Sequence, residues 1–456
     1  MKAIGLDIGT TTICVIVLDG ETGDVVETIT IANDTFLNSN YAYEKTQDAD
    51  RILVKVNKII QQLIKIHGHI DSIGTTGQMH GILYVNKEGN AISPLYTWQD
   101  GRGDLLYTSG ETYAQYLTNK TGYNMSSGFG LTTHFYNMCN DLVPEGASNI
   151  CTIGDYVAMK MVNETTPVMS PSNAASLGCF NLKDLVFDFE SLEKANINCN
   201  IIPMVKQGYN LMGKTKEGIP VSVAIGDNQG SVLGSVQDMQ NTVLVNVGTG
   251  SQVSVGVSGY LDNRSCTDIE LRPCVGHDFI LVGSSLCGGR SYAMLEGFFR
   301  KVLMLTPDNT CTSLYNVMDK AMSEETINEA TLIISTRFSG TRENPIERGS
   351  ISNIDIYNFT PVNMMVGMLH GIASELFNLY DKMCKIKGIK ATVLVGSGNG
   401  IRRNKHLQRI FEELFQLKLK IPVHEEEASY GVALFSLVAS GEYENINKAQ
   451  KVIQYQ

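Results

Sequence analysis

The sequence predicts an α/β fold built from two similar domains, and three observations carry this. The N-terminus, KAIGLDIGTTTICVIVLDGETG, places two β-rich runs around a tight DIGTTT turn, with a DGETG turn closing the second run. A second stretch, NTVLVNVGTGSQVSVGVSG (Asn241 to Gly259), has the same plan of strand, small hydroxyl-rich turn and strand. Elsewhere strand-like runs alternate with helical periodicity, as in βαβ units with a mixed sheet covered by helices. The two hairpins lie roughly 240 residues apart, the size of one repeat. That spacing divides the chain into domains 1–236 and 237–456.

Asp50 to His67 carries Ile52, Val56, Ile59, Ile60, Leu63 and Ile66 at helical spacing. Ile70 to Thr75 reads as the next strand. VSVAIGD (221–227) reads as a buried strand ending in Asp227, and TVLVGSG (392–398) as another. A basic helix is expected over Asn404 to Phe415, and EEASYGVALFSLVASG (426–441) reads as a buried last helix.

Composition narrows the function. The 456 residues are 43% apolar and 18% charged, which is globular composition. The net charge of −11 argues against a nucleic-acid or anionic-membrane partner. An anionic ligand must then be held by backbone amides or a metal. No apolar run reaches membrane-spanning length, and no signal peptide is expected. The ten cysteines, at 14, 139, 151, 179, 199, 266, 274, 287, 311 and 384, are scattered without zinc spacing. Reduced thiols in the cytoplasm are the expectation. The oligomeric state stays open, a homodimer included.

Several motifs carry chemistry beside a structural alternative. In DIGTTT, Gly9 lets backbone approach a phosphate, Thr10, Thr11 and Thr12 offer donors, and Asp7 can face Mg²⁺; an ordinary hairpin turn explains the same residues. VGTG (247–250) is the same kind of signal. Neither fits the P-loop or dinucleotide pattern. GQMHG (77–81) comes at the end of a strand, where open sheets place ligands, although a lone His is commonly structural. Trp98, the single tryptophan, is either core or the wall of a polyol pocket beside Gln99, Asp100 and Arg102. Asp227, with Asn228 and Gln229 directly after it, either accepts a proton from an attacking hydroxyl or caps a helix.

Taken in order, DIGTTT, GQMHG, TWQDGR, GDNQ, VGTG and VGSGNG resemble the FGGY carbohydrate kinases of the hexokinase–actin superfamily, over essentially the whole chain. The stretches LYTWQDGRG (95–103), MSPSNAASLG (169–178) and LVGSSLCGGRSYAM (281–294) resemble the branch acting on sedoheptulose. The resemblance implies two ribonuclease-H-like domains with sugar and ATP in the cleft between them. It implies ATP-dependent phosphorylation of a ketose, sedoheptulose to its 7-phosphate, with xylulose, ribulose or another polyol as alternatives. A non-catalytic nucleotide-binding sensor is the alternative outside the class.

By the same resemblance Asp227 is the catalytic base, and Asp7, with Asp227, faces Mg²⁺. Gln78, Met79, His80, Trp98, Asp100 and Asn228 meet the sugar. The ATP-binding residues are Gly9, Thr10, Thr11 and Thr12, then Gly248, Thr249 and Gly250, then Gly396, Gly398, Asn399 and Asn404. One departure stands out. Many relatives carry a Lys or Arg shortly after the first turn, where this chain has Thr12-Ile13-Cys14. Cys14 is expected to be a packed, inert thiol, with phosphate charge left to Mg²⁺ and amides.

Overall fold

Apolar side chains on both faces make the strands at the N-terminus central ones, buried throughout except at their ends. The computed structural model describes residues 1–108, 110–263, 266–305, 312–324, 332–341, 344, 346–388 and 390–456. Cys311 lies outside them, and the other cysteines are free thiols. In chain order the elements that matter begin with β1 (Lys2–Ile8), β2 (Thr12–Asp19), β3 (Val25–Ala32), α1 (Ala49–His67) and β4 (Ser72–Gly77). Next come α2 (Ile153–Met161), α3 (Pro171–Ser176), β5 (Leu211–Lys214), β6 (Pro220–Ser222), β7 (Ile225–Gly226) and α4 (Asp227–Ser235). Beyond them lie β8 (Thr242–Val247), β9 (Ser251–Ser258), β10 (Ile269–Pro273), β11 (Asp278–Ser285), α5 (Gly288–Leu303) and α6 (Pro361–Lys387). The last are β12 (Val393–Ser397), α7 (Lys405–Phe415), β13 (Leu419–Lys420) and α8 (Glu427–Ala439).

The chain forms two compact units. The first holds Met1–Gln237, Arg272–Phe279 and Glu426–Gln454; the second holds Asp238–Leu271, Ile280–Glu425 and Tyr455–Gln456. The chain thus first leaves unit one at Gln237, beside the boundary read at 236, and the 237–456 segment contributes two stretches to the first unit. The reason is physical: α8 is apolar nearly all round, and it is buried from Ser429 to Val438.

The first sheet is seven-stranded, ordered β5-β6-β4-β1-β2-β3, with β7 also paired to β4. Here β1 is antiparallel to β2 and parallel to β4. The second sheet is six-stranded, ordered β10-β11-β9-β8-β12-β13. There β8 is antiparallel to β9 and parallel to β12. The two hairpins therefore sit at the same place in one repeated plan, as their shared pattern predicts.

The strand read at 221–227 is broken. Val221 pairs with Ile73, and Ile225 with Thr76, so four residues on one side span three on the other. Such a bulge re-aims the chain beyond it, and the first side chain beyond β7 is that of Asp227. Helix α4 is pinned by close approach to α8. A Cβ on Gly234 would lie 2.0 Å from Glu427 O, and one on Gly431 would lie 1.9 Å from Gly230 O. Only glycine allows that helix spacing.

Candidate functional site

Asp7 lies next to last in β1, and Asp227 is the first residue of α4. Gly226 occupies the cap position of α4 and no side chain caps it. The Asp227 carboxylate instead accepts the N–H of Asn228 at 2.6 Å. Burial pushes its pKa up to about 6, against the pull of that N–H and of Arg272. Arg272 Nη1 also donates to Asn228 Oδ1 at 3.2 Å. Burial, then the charges of Asp227 and Glu426, push Asp7 up to about 7. Sequence reasoning missed Arg272 and Glu426, because both come from distant segments that carry no motif.

A buried carboxylate raised by two others is a place where a cation would relieve charge. Among the described residues no set of three metal-binding side chains is close enough to enclose one. Asp7 and Asp227 offer oxygen ligands of the kind Mg²⁺ takes, and the rest of its shell would come from water or phosphate oxygens. Cys14, the register partner of Asp7, is 4% exposed. Burial pushes its thiol up to about 12, so it packs as a neutral side chain.

The first turn is held from within its unit. Asn33 Nδ2 donates to Gly9 O at 2.8 Å, Gln47 Nε2 to Thr10 O at 2.8 Å, and Asn33 N to Thr11 O at 2.8 Å. With those carbonyls taken, the turn presents the exposed residues Thr11 and Thr12. Gln78 is buried, donating to Gln47 Oε1 at 2.7 Å and lying 3.5 Å from Thr10 Oγ1. Trp98 is not core: it is 48% exposed, and its Nε1 donates to Thr10 Oγ1 at 2.9 Å. Gln47 was also missed; nothing local marks it.

His80 takes φ +71°, an uncommon left-handed conformation for a non-glycine residue. Its backbone N–H donates to Ser176 Oγ at 3.1 Å, and Nδ1 lies 2.7 Å from Ser176 O. A carbonyl can only accept, so Nδ1 carries the proton of this bond. The ring stacks flat on Phe129, with centroids 4.7 Å apart. Met79 is buried, and its sulfur would lie 2.9 Å from a Cβ on Gly226, so the GQMHG turn packs against the residue that precedes Asp227.

Asp100 is 1% exposed, and its carboxylate is taken by the backbone N–H groups of Lys45 and Arg102 and by two donors of the Arg102 guanidinium. That guanidinium also lies over the rings of Tyr96 and Tyr136 and donates to Asn137. Here Asp100 organises a buried ion pair rather than opening toward a ligand.

In the second unit, the VGTG turn is latched to the start of α5: Gly289 N donates to Gly248 O at 2.9 Å and Arg290 N to Thr249 O at 3.0 Å. Gly248 and Thr249 are exposed, and Gly250 is half-buried. Asn246 Nδ2 donates to Ser397 Oγ at 2.7 Å, tying the turn's strand to β12. Gly398 has φ +82°, and a Cβ there would lie 2.7 Å from Val247 O. Asn399 is exposed. Two expected ligand positions have other work. Gly396 is buried in β12 against Ile401 and Leu419, and the Asn404 side chain caps α7 by accepting Leu407 N–H at 2.9 Å.

Two ribonuclease-H-like sheets, one beside a desolvated carboxylate pair and the other ending in glycine-rich turns, define the hexokinase–actin fold class. The N-terminal domain of the FGGY family of carbohydrate kinases matches residues 2–244, and its C-terminal domain matches residues 283–440. The chain belongs to the FGGY family of carbohydrate kinases, and it is a carbohydrate kinase. Sedoheptulokinase of Mus musculus is 26% identical, over 86% of this chain and 87% of its own. Xylulose kinase of Staphylococcus xylosus is 24% identical, over 98% and 92%. Among solved structures, gluconate kinase from Lactobacillus acidophilus superposes with a TM-score of 0.84 at 18% identity, covering 100% of this chain and 92% of that one. Among the described residues, no helix is long and apolar enough to cross a membrane.

Proposed function

We propose that the protein transfers the γ-phosphoryl group of ATP to the terminal hydroxyl of a ketose, with sedoheptulose the preferred acceptor and the 7-phosphate the product. The observation that carries this is Asp227, a carboxylate raised to about 6 by burial at a helix start, directly after the residue that packs against the Met79–His80 turn. Asp227 takes the proton of the sugar hydroxyl as its oxygen bonds to the γ-phosphorus and the bond to ADP breaks. His80 and Asn228 orient the sugar. Thr11, Thr12, Gly248, Thr249 and Gly250 hold the phosphates, and Gly398 and Asn399 hold the adenosine. Asp7 and Asp227 face Mg²⁺, which supplies charge neutralisation on the phosphates when bound. The cytoplasm, where thiols stay reduced, is the proposed compartment.

The preference for sedoheptulose is supported by the stretches at 95–103, 169–178 and 281–294 and by the curated sedoheptulokinases at 25–26% identity. Xylulose is the second reading, favoured by the Staphylococcus xylosus relative, which matches more of the chain. Coupled ADP release over a panel of ketoses decides between them. The expected result is the highest kcat/KM for sedoheptulose, with glycerol poor because it leaves pocket groups unpaired. A tenfold preference for xylulose or ribulose would overturn the first reading.

A further inference from the structure

Helix α3 is six residues long, and its side chains reach both the His80 turn and the strand that delivers Asp227. Near its start, Ser172 Oγ accepts the N–H of Gly226, the residue immediately before Asp227, at 3.0 Å. Asn173 Nδ2 lies 3.0 Å from Asp155 Oδ1 and 3.4 Å from Ala224 O. At its end, Ser176 accepts from His80 through both Oγ and O. Ser172, Asn173 and Ser176 are all 5% exposed or less.

Neither hydroxyl is needed to start this helix. Its cap is Ser170, whose Oγ accepts the N–H of Asn173. The helix is itself anchored to the first unit through Asp155, which also accepts from Thr152 at the start of α2. Ser172 Oγ also pairs with Ser170 Oγ at 2.8 Å and Ser176 Oγ donates to Asn173 O at 2.7 Å, so each hydroxyl is fixed from within the helix while it accepts from a segment outside it. His80 sits at positive φ, a conformation that persists only when its surroundings hold it. Gly226 lies just past the bulge, where a Cβ would be 2.4 Å from Gln229 Oε1 and would have to displace that side chain. Two segments from distant parts of the chain are therefore set against each other by one rigid piece.

We infer that Ser172 and Ser176 are positioning residues that hold Asp227 and the His80 turn in register. Ser172 acts through Gly226 on the transfer step, and Ser176 acts through His80 on sugar binding. This rests on the proposed roles of Asp227 and His80. Small displacements of a reacting group have large kinetic effects, so the two serines fail in different ways.

The test is steady-state kinetics of Ser172→Ala and Ser176→Ala on the full-length protein, with sedoheptulose and ATP·Mg²⁺, beside Asp227→Asn and thermal melts. Ser172→Ala is expected to lower kcat by about tenfold or more with sugar KM within about twofold. Ser176→Ala is expected to raise sugar KM by about five- to tenfold with kcat within about twofold. If either alanine variant does not fold, Ser→Cys at that position, similar in shape and a weaker acceptor, carries the same readout. Parallel changes in kcat and KM that track the loss of melting temperature would overturn the inference, as would wild-type kinetics in both variants. Asp227→Asn separates the two levels. If it is inactive while the serine variants are normal, only the inference falls. If it keeps wild-type turnover, the proposed base falls and the inference with it.

Discussion

Asp7-Ile8-Gly9-Thr10 in the first unit and Asn246-Val247-Gly248-Thr249 in the second occupy the same corner of the same sheet plan, and they differ by one charge. Asp7 stays ionisable, desolvated and under the influence of two further carboxylates. Asn246 is neutral, and its amide is committed to Ser397. The strands beside them diverge in the same sense. After β4 come Gln78, Met79 and His80, side chains with shape and hydrogen-bonding capacity. After β12 come Gly398, Asn399 and Gly400, two glycines packed against Val247 around an exposed Asn399. On the proposed reading, the first corner recognises a polyol through side chains, manages a proton and shares the phosphates and their Mg²⁺. Its repeat yields a corner that can admit an anion through its backbone.

Removing the proton acceptor from the first corner is the largest expected effect. Asp227→Asn keeps the shape, and kcat should fall by about 10² to 10⁴ while sugar affinity changes little. Stopped-flow or coupled ADP release checks the first quantity, and calorimetry the second. Making the first corner resemble the second is the next effect down. Asp7→Asn should lower kcat/KM by about tenfold or more, which is ~1.4 kcal/mol or more of transition-state stabilisation. The same change removes a desolvated carboxylate, so its melting temperature should be no lower than that of the unsubstituted protein. Activity and stability moving together downward would mean that Asp7 is structural.

The hairpins were legible because strand runs and glycine turns are local signals, and the order of the six motifs carried the family. Cys14 was legible for a similar reason: a thiol inside an apolar run packs. The features that stayed hidden are non-local. The bulge at residues 223 and 224 depends on pairing with β4, and sequence alone reads it as one strand. The return of 272–279 and 426–454 to the first unit joins segments hundreds of residues apart. Asp100 looked like a sugar ligand because its neighbours are polar, yet Arg102 two residues on takes its carboxylate. Asn404 looked like part of the adenosine loop, whereas its position before a helix gives it a cap. The serines of α3 lay inside a stretch singled out for its resemblance, without any sign of the segments they hold.

The division of labour between the two corners is tested most directly by measuring, calorimetrically and separately, the binding of sedoheptulose and of a non-hydrolysable ATP analogue with Mg²⁺ to two variants. His80→Ala should weaken the sugar by about tenfold, ~1.4 kcal/mol, and leave the nucleotide within about twofold. Asn246→Asp places a carboxylate beside the second turn, and it should weaken the nucleotide by about tenfold and leave the sugar within about twofold. A crossed pattern, with His80→Ala weakening the nucleotide or Asn246→Asp weakening the sugar, would contradict the account.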